Sequence, residues 1–326
     1  MQALLDAIAT MALPADAGRV FHGRGGRHPG CEHWTLDAYP PVFVLTSFQP
    51  VDEAELAAAG LALARRWAQI APDGAALNWV FQQRQPGGRI ETRLMAGAVP
   101  DPHVVHEDGA AYQVHVLRGQ NHGLFLDMAG GRRWVREHVA RWPGLKVLNL
   151  FAYTCAFSVV AMQAGARGVV NLDMADGALA IGRRNHQLNG LPASAAAGVS
   201  FLAHDLFNSW GKVGRAGPYD LVIVDPPSYQ KGSFVATKDY ARLVRRLPDL
   251  LAPGGHVLLC LNAPELSPAF LQDTVAELAP SLRFVARVAN PDTFADVSTE
   301  RALKVLVYEA TEAASPPPMP EPGAPA

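Results

Sequence analysis

From Lys146 onward, short apolar runs alternate with amphipathic stretches. "KVLNLF" (146–151), "RGVVNLDM" (167–174), "VSFLAHD" (199–205), "YDLVIVD" (219–225) and "HVLLCLN" (256–262) read as strands. Between and after them, "CAFSVVAMQAG", "ADGALAIGRRNHQLNG", "KDYARLVRRLPDLLAPGG" and "SPAFLQDTVAELAP" carry helical periodicity, and glycine or proline stops each. Strands that are apolar throughout need cover on both faces. The pattern therefore predicts an α/β domain with a parallel sheet between helices. "LRFVARVA" (282–289) and "ALKVLVYEA" (302–310) have no helix between them and predict a closing antiparallel pair.

The first 127 residues follow another rhythm. "PPVFVLTSF", "LNWVFQQR", "RIETRLMAG" and "AYQVHVLRG" are strand patterns, and "VDEAELAAAGLALARRWAQI" is one long helix. "MQALLDAIATMALPADAGRV" reads as a short surface helix rather than a secretory signal, because it carries acids and no early basic cluster. Strands outnumber helices, which predicts a smaller α+β domain over 1–127. The parallel domain then spans 128–311, entered through the helix "GRRWVREHVARW". Residues 312–326 form a proline-rich tail that cannot build a core and is expected to be disordered.

Composition narrows the classes. The chain has 326 residues, 49% hydrophobic and 18% charged, with a net charge of −2, which suits two domains with an ample core. No run is long and apolar enough to predict a membrane helix. Cys31, Cys155 and Cys260 are far apart, so they make neither a metal site nor a disulfide framework, as in a reducing cytoplasm. Local basic clusters, "FHGRGGRH" (21–28), "RRW" (132–134) and "RLVRRL" (242–247), fit solvated surface or a nucleic-acid contact.

In such a sheet, ligands bind outside the carboxyl ends of the strands, where strand order reverses. The first strand runs into "LNLFAYTCAFS" (148–158), without the G-x-G-x-x-G that lets a backbone approach a pyrophosphate. That counts against NAD or FAD. The second strand ends at Asp173, placed to hold ribose hydroxyls or to cap the next helix, as could Asp176. The third ends in "HDLF", where Asp205 could accept an adenine amine or serve as an N-cap. The fourth ends in Asp225-Pro226-Pro227-Ser228. Two prolines make this segment stiff and remove two N–H donors, so its carbonyls suit an outside donor such as a base amine.

Together these strand ends resemble the class I S-adenosylmethionine-dependent methyltransferases. The chain is most similar to the bacterial 23S rRNA large-subunit methyltransferases of the guanine-N7 and cytosine-C5 type. Five ordered segments carry the resemblance: "NHGLFLDMAGGRRWV" (121–135), "VLNLFAYTCAFS" (147–158), "NLDMADGALAIGRRNHQLNGL" (171–191), "YDLVIVDPPSY" (219–229) and "DTFADVSTERALKVLVYE" (292–309). It implies a Rossmann-like domain whose seven-stranded, mostly parallel sheet has an antiparallel last strand. It also implies S-adenosylmethionine as cofactor and RNA, most of all 23S rRNA, as partner, with no metal and no membrane.

The resemblance further implies roles. Asn149, Phe151, Ala152, Tyr153 and Thr154 would line the methionine end of the cofactor, with Asp127 near its amino group. Asp173 with Met174 would hold the ribose side, and Asp205 with Leu206 the adenine. Asp225, Pro226, Pro227 and Ser228 would lie beneath the transferred methyl, Tyr229 would stack on the flipped base, and Lys231 or Lys238 would steady phosphates. Two departures stand out. Cys155 replaces a usual glycine. Asn262 stands where cytosine-C5 relatives place a nucleophilic cysteine, and Cys260 lies two residues earlier, inside the strand. The expectation is direct in-line transfer without a cysteine adduct. A cytosine-C5 enzyme using Cys260, or a methyltransferase acting on DNA adenine or a protein amide, is the alternative.

Overall fold

The computed structural model describes residues 1–85, 87, 89–227, 229–230 and 234–311. The proline-rich tail lies outside the described residues.

The N-terminal half builds a five-stranded sheet from β1 (Gly18–His22), β2 (Trp34–Tyr39), β3 (Val42–Ser47), β4 (Asn78–Arg84) and β5 (Ile90–Ala96), in that order. The pairs are antiparallel except β3 with β4, which helix α2 (Glu53–Ile70) connects. Asp52 caps α2 by accepting the Glu55 N–H at 2.7 Å, satisfying a donor that no earlier turn can reach. Helix α1 (Gln2–Thr10) lays Leu4 and Ile8 against the same core as Leu36, Leu45, Leu56 and Phe81. Strands β2 and β3 are buried at every position, because the other face of this sheet, with Tyr39, Val42, Val44 and Val80, merges into the core of the C-terminal half.

The alternation rule passed over β1 and β2. In β2 it met Asp37, a buried carboxylate in an otherwise apolar run. The register puts Arg19 of β1 directly opposite, and its guanidinium grips both carboxylate oxygens at 2.7 and 3.0 Å. A charge that looks like solvent exposure is here one half of a cross-strand pair.

A hairpin of β6 (His103–Glu107) and β7 (Ala110–Val114) follows, and then helix α3 (Ala129–Arg141). The large sheet contains β8 (Lys146–Leu150), β9 (Gly168–Asp173), β10 (Val199–Ala203), β11 (Tyr219–Val224), β14 (Leu251–Leu261), β15 (Leu282–Arg287) and β16 (Lys304–Ala310). A ribbon of β12 (Tyr229–Gln230) with β13 (Phe234–Val235) sits between β11 and β14 in the chain. The large sheet runs in the order β10-β9-β8-β11-β14-β16-β15, and the last strand, β16, is antiparallel to both its neighbours. The order reverses between β8 and β11, which is where a parallel sheet opens a crevice at its carboxyl edge.

Successive residues serve opposite faces. Val147, Val169, Leu221 and Ile223 pack against α3 and α4 (Ala156–Gln163). Leu148, Leu150, Val170, Val222 and Val224 pack against α7 (Ala236–Val244), α8 (Leu247–Leu250) and α9 (Pro268–Leu278). Helix α5 (Asp176–Leu188) follows β9, and the short α6 (Trp210–Ala216) follows β10.

One expected helix differs, and the expected strand over 111–119 ends at Val114. The single helix over 238–255 is two, because Pro248 occupies the first turn of α8, where its missing N–H costs nothing. Leu251 then pairs with Tyr219, so β14 starts five residues before the expected strand.

Several contacts join the halves, two of them through buried or edge-pairing side chains. Arg132 of α3 donates to both oxygens of Glu107 at 2.6 Å and to the Phe125 carbonyl at 2.8 Å, with both side chains buried. On the other side, α5 completes the open edge of β7. Asn189 accepts from the Ala111 N–H at 2.8 Å and donates to its carbonyl at 2.7 Å, and Asn185 accepts from the Gln113 N–H at 2.8 Å.

Glu107→Ala would leave the Arg132 guanidinium buried without its counter-charge. Urea denaturation is expected to show a loss of about 3–5 kcal/mol with an unchanged slope. A loss below about 1 kcal/mol would mean that the pair does not hold the hairpin to α3.

Candidate active site

The turn after β8 is strained. Phe151, Tyr153 and Cys155 all have positive φ, at 58°, 46° and 61°. A side chain in this left-handed region costs roughly 1–2 kcal/mol. Hydrogen bonds hold the turn there. The Tyr153 N–H donates to Asp173 Oδ2 at 2.8 Å, and the Ala152 N–H to the Leu172 carbonyl at 3.0 Å. Thr154 Oγ1 donates to the Gly123 carbonyl at 2.6 Å, and Asn185 Nδ2 to the Thr154 carbonyl at 2.9 Å. The other oxygen of Asp173 accepts the Ala175 N–H at 2.8 Å.

Cys155 stands in a conformation that favours glycine. Its thiol is buried, which pushes its pKa up. The space it takes is conceded by α5: a Cβ on Gly182 would lie 2.4 Å from Cys155 Sγ. The missing glycine of the turn reappears on the facing helix.

A cavity of about 440 Å³ opens at the reversal of strand order. Its wall includes Phe151 to Thr154 after β8, Asp173 to Ala175 after β9, Asp225 to Pro227 after β11, and Asn262 after β14. The segment before α3 adds Phe125, Asp127 and Met128. The Phe125 and Tyr153 rings lie 5.2 Å apart, and the Met174 side chain is half exposed. Asp225 is shielded on most sides, and burial with the nearby charge of Asp127 raises its pKa to about 7. Burial also raises Asp127, against the pull of Arg19 and Arg132.

Other expected residues lie elsewhere. Asn149 is buried within the sheet, where its amide donates to Asn171 Oδ1 at 2.9 Å. Asp205 caps a short turn, accepting from the Phe207 N–H at 2.9 Å and the Asn208 amide at 2.6 Å. Leu206 is in the core. Lys238 is exposed on α7 and is not part of the cavity wall. Ser228 and Lys231 lie outside the described residues, and of Tyr229 only the backbone is described.

The Cys260 thiol is fully buried among Leu258, Val305 and Val307 on β14, and burial pushes its pKa well up. Such surroundings suit a thiol that packs in the core. Among the described residues no group of three or more metal-ligating side chains occurs, and no helix is long and apolar enough to cross a membrane.

Sequence reasoning missed the residues that face this cavity from the N-terminal half. A second cavity of about 390 Å³ shares Asn121, Phe125, Asp127 and Asn262 with the first and continues to Arg19, Arg24 and Arg84. The "FHGRGGRH" cluster was the available signal, and it divides: Arg24 lines the cavity, while Arg27 is not part of its wall and donates to the Asp296 carbonyl at 3.4 Å. "RLVRRL" is a helix surface, with Arg242 paired to Asp239 and Arg246 to Asp249.

These strand ends, arranged around a crevice at the reversal point, are the architecture of a cofactor-binding α/β enzyme. A family model described as S-adenosylmethionine-dependent methyltransferase matches residues 18–309, and the chain belongs to that family. Ribosomal RNA large subunit methyltransferase K/L of Psychrobacter sp. (strain PRwf-1) is 35% identical over 188 residues, 56% of this chain and 23% of its own length. Ribosomal RNA large subunit methyltransferase I of Aeromonas salmonicida (strain A449) is 30% identical over 205 residues, 61% of this chain and 50% of its own. The chain thus spans half or less of the length of these two relatives. In fold it is similar to the crystal structure of SMU.776 complexed with SAH, with a TM-score of 0.79 at 21% identity over 95% of this chain and 81% of that one.

Two outcomes are expected. Gly182→Ala should destabilise the wild type, because its Cβ would meet Sγ, and should cost far less in a Cys155→Gly background. A denaturation double-mutant cycle reads this, and additive effects would refute the contact. Asp225→Asn should raise the melting temperature at pH 8. The folded-state pKa of about 7 lies above the ordinary 3.8. The native carboxyl therefore loses stability as pH rises from about 4 to about 7, whereas the amide does not titrate. The gain should vanish by pH 4; a gain independent of pH would exclude titration of Asp225 as its cause.

Proposed function

We propose that the chain transfers the methyl group of S-adenosylmethionine to a base of large-subunit ribosomal RNA by direct in-line displacement. The observation that carries this reading is the junction of the two cavities, where Asp127 and Asn262 belong to both walls. One cavity has the groups for a nucleoside that ends in a charged amino acid, and the other is lined by arginines.

The fit to the cofactor is physical. About 440 Å³ suits a ligand of this size. Each Asp173 oxygen accepts one backbone N–H and keeps a lone pair for a ribose hydroxyl. Met174 offers an exposed apolar face beside it. Asp127 and Asp225 would face the amino-acid end, where a cation would draw the proton from Asp225 and ionise it. Asp205, already shaped by its turn, would meet the adenine amine. When bound, the cofactor supplies a methyl on a sulfonium, electrophilic enough to need no further activation.

The remaining task for the protein is alignment, which can contribute about 7–11 kcal/mol. Asp225, Pro226 and Pro227 would form the rigid floor, Ser228 would act with them on the transferred methyl, Tyr229 would stack on the base, and the Asn262 amide would orient the acceptor. No cysteine adduct is part of this route. Lys231 or Lys238 would steady phosphates of the RNA. The N-terminal domain, residues 1–127, would grip the RNA, and residues 128–311 would carry the transfer. The names of the curated relatives support ribosomal RNA as the acceptor.

Transfer of tritiated methyl to ribosomal RNA isolated from a deletion strain tests the reading. Wild type and Cys260→Ser should both label a single base, and Asp173→Ala should not. Label in DNA or protein alone would overturn the acceptor, and loss of transfer in a folded Cys260→Ser protein would overturn the direct route.

A further inference from the structure

The second cavity has a charge distribution of its own. Arg19 is neutralised by Asp37 and also reaches His22 Nδ1 at 2.7 Å. Among the described residues, Arg24 and Arg84 take part in no ion pair. Both guanidinium groups stack on Phe48, with their central carbons 4.1 and 5.5 Å from the ring centre. Burial lowers both pKa values below the ordinary arginine range, although both groups remain cations near neutrality.

The positions of these arginines are built. Arg84 extends from β4, with Nε donating to Gln82 Oε1 at 2.7 Å and one terminal nitrogen to the Gln120 carbonyl at 2.7 Å. Arg24 lies in a tight turn between Gly23 and Gly25. A Cβ on Gly23 would lie 1.8 Å from the Cys31 carbonyl oxygen, and one on Gly25 2.3 Å from that of Ala295. The turn is thus pressed against backbone on both sides and cannot carry Arg24 away.

A further group in the wall awaits a partner. His122 is buried, and Nδ1 bonds the His115 carbonyl at 3.2 Å, which makes that nitrogen the donor. Burial and the charge of Arg84 lower its pKa to about 4, so the ring is neutral and Nε2 is an acceptor. Among the described residues Nε2 has no hydrogen-bond partner.

We propose that Arg24 and Arg84, stacked on Phe48, bind a backbone phosphate next to the target nucleotide of an RNA acceptor. The second cavity is then the anchor of the acceptor strand, beside the junction with the first. This rests on the reading of the chain as an RNA methyltransferase. Asp37, Asp127 and Asp296 also line this wall, but none is paired with Arg24 or Arg84; two desolvated guanidinium groups left without an ion pair favour an anion, and their planar donor edges match phosphate oxygens. Phe48 fixes those planes, so little side-chain freedom is lost on binding. Single-stranded RNA is the form that offers both a phosphate and a base free to be turned into the neighbouring cavity.

Fluorescence anisotropy with a fluorescein-labelled single-stranded RNA, on the full chain, reads the anchor, and calorimetry with S-adenosylhomocysteine serves as the folding control. Arg24→Ala and Arg84→Ala should each weaken RNA binding roughly tenfold and leave S-adenosylhomocysteine affinity unchanged. The slope of log affinity against log salt should fall by about 0.7 in each. Arg24→Lys should recover part of the salt slope but not the full affinity. Unchanged RNA affinity and slope in both alanine variants would overturn the anchor. So would wild type that does not bind RNA, or that binds single-stranded DNA of the same sequence more tightly.

The two readings fail separately. Wild type that methylates ribosomal RNA while both alanine variants keep its KM would remove the anchor and leave the proposed activity. Wild type that holds RNA through these arginines but labels only protein would do the reverse.

Discussion

The Asp173 carboxylate is the constraint on which the rest of the site depends. One oxygen holds the turn after β8 through Tyr153, and the other holds the turn after β9 through Ala175. Without that bridge, three left-handed residues within five positions would relax toward ordinary backbone. Relaxation would move Thr154 from the Gly123 carbonyl and so release the segment that leads to Phe125 and Asp127. A single carboxylate thus joins two strand ends and the entry to α3.

The two connected cavities differ in sign. On the large-sheet side, burial raises the pKa of both Asp127 and Asp225, and the charge of Asp127 raises Asp225 further. On the N-terminal side, arginines outnumber their partners. A ligand of opposite charge would relieve each side. Placed at opposite ends of one crevice, such groups orient an incoming pair of molecules before any close contact forms.

Much of this was legible in the sequence because parallel strands are apolar on both faces and end at the site. Asp173 and the Asp225-Pro226-Pro227 segment sit at strand ends, and both line the cavity. Side-chain direction was less legible. Asn149 is at a strand end too, yet it points into the sheet, where Asn171 pairs with it. The compensation of Cys155 by Gly182 was hidden, because it depends on two residues 27 positions apart meeting across a turn and a helix. The arginine cavity was hidden for a related reason. β1 and β2 are crossed by a charge, and a periodicity rule discards such strands although an ion pair makes them whole.

The asparagines of α5 have a consequence for assembly of the fold. A strand edge normally finds its register by matching a second strand, and it can slip by two residues with little loss. Here β7 is read by Asn185 and Asn189, one helical turn apart, which reach Gln113 and Ala111. A one-residue slip would turn these backbone groups to the other edge of the strand and forfeit all three hydrogen bonds at once. With these groups taken, the edge of the hairpin is closed to any passing strand from another chain. Because Asn185 also holds Thr154, the same turn of helix that indexes the hairpin indexes the strained loop. Folding of the N-terminal half onto α5 and shaping of the cavity are then one event rather than two.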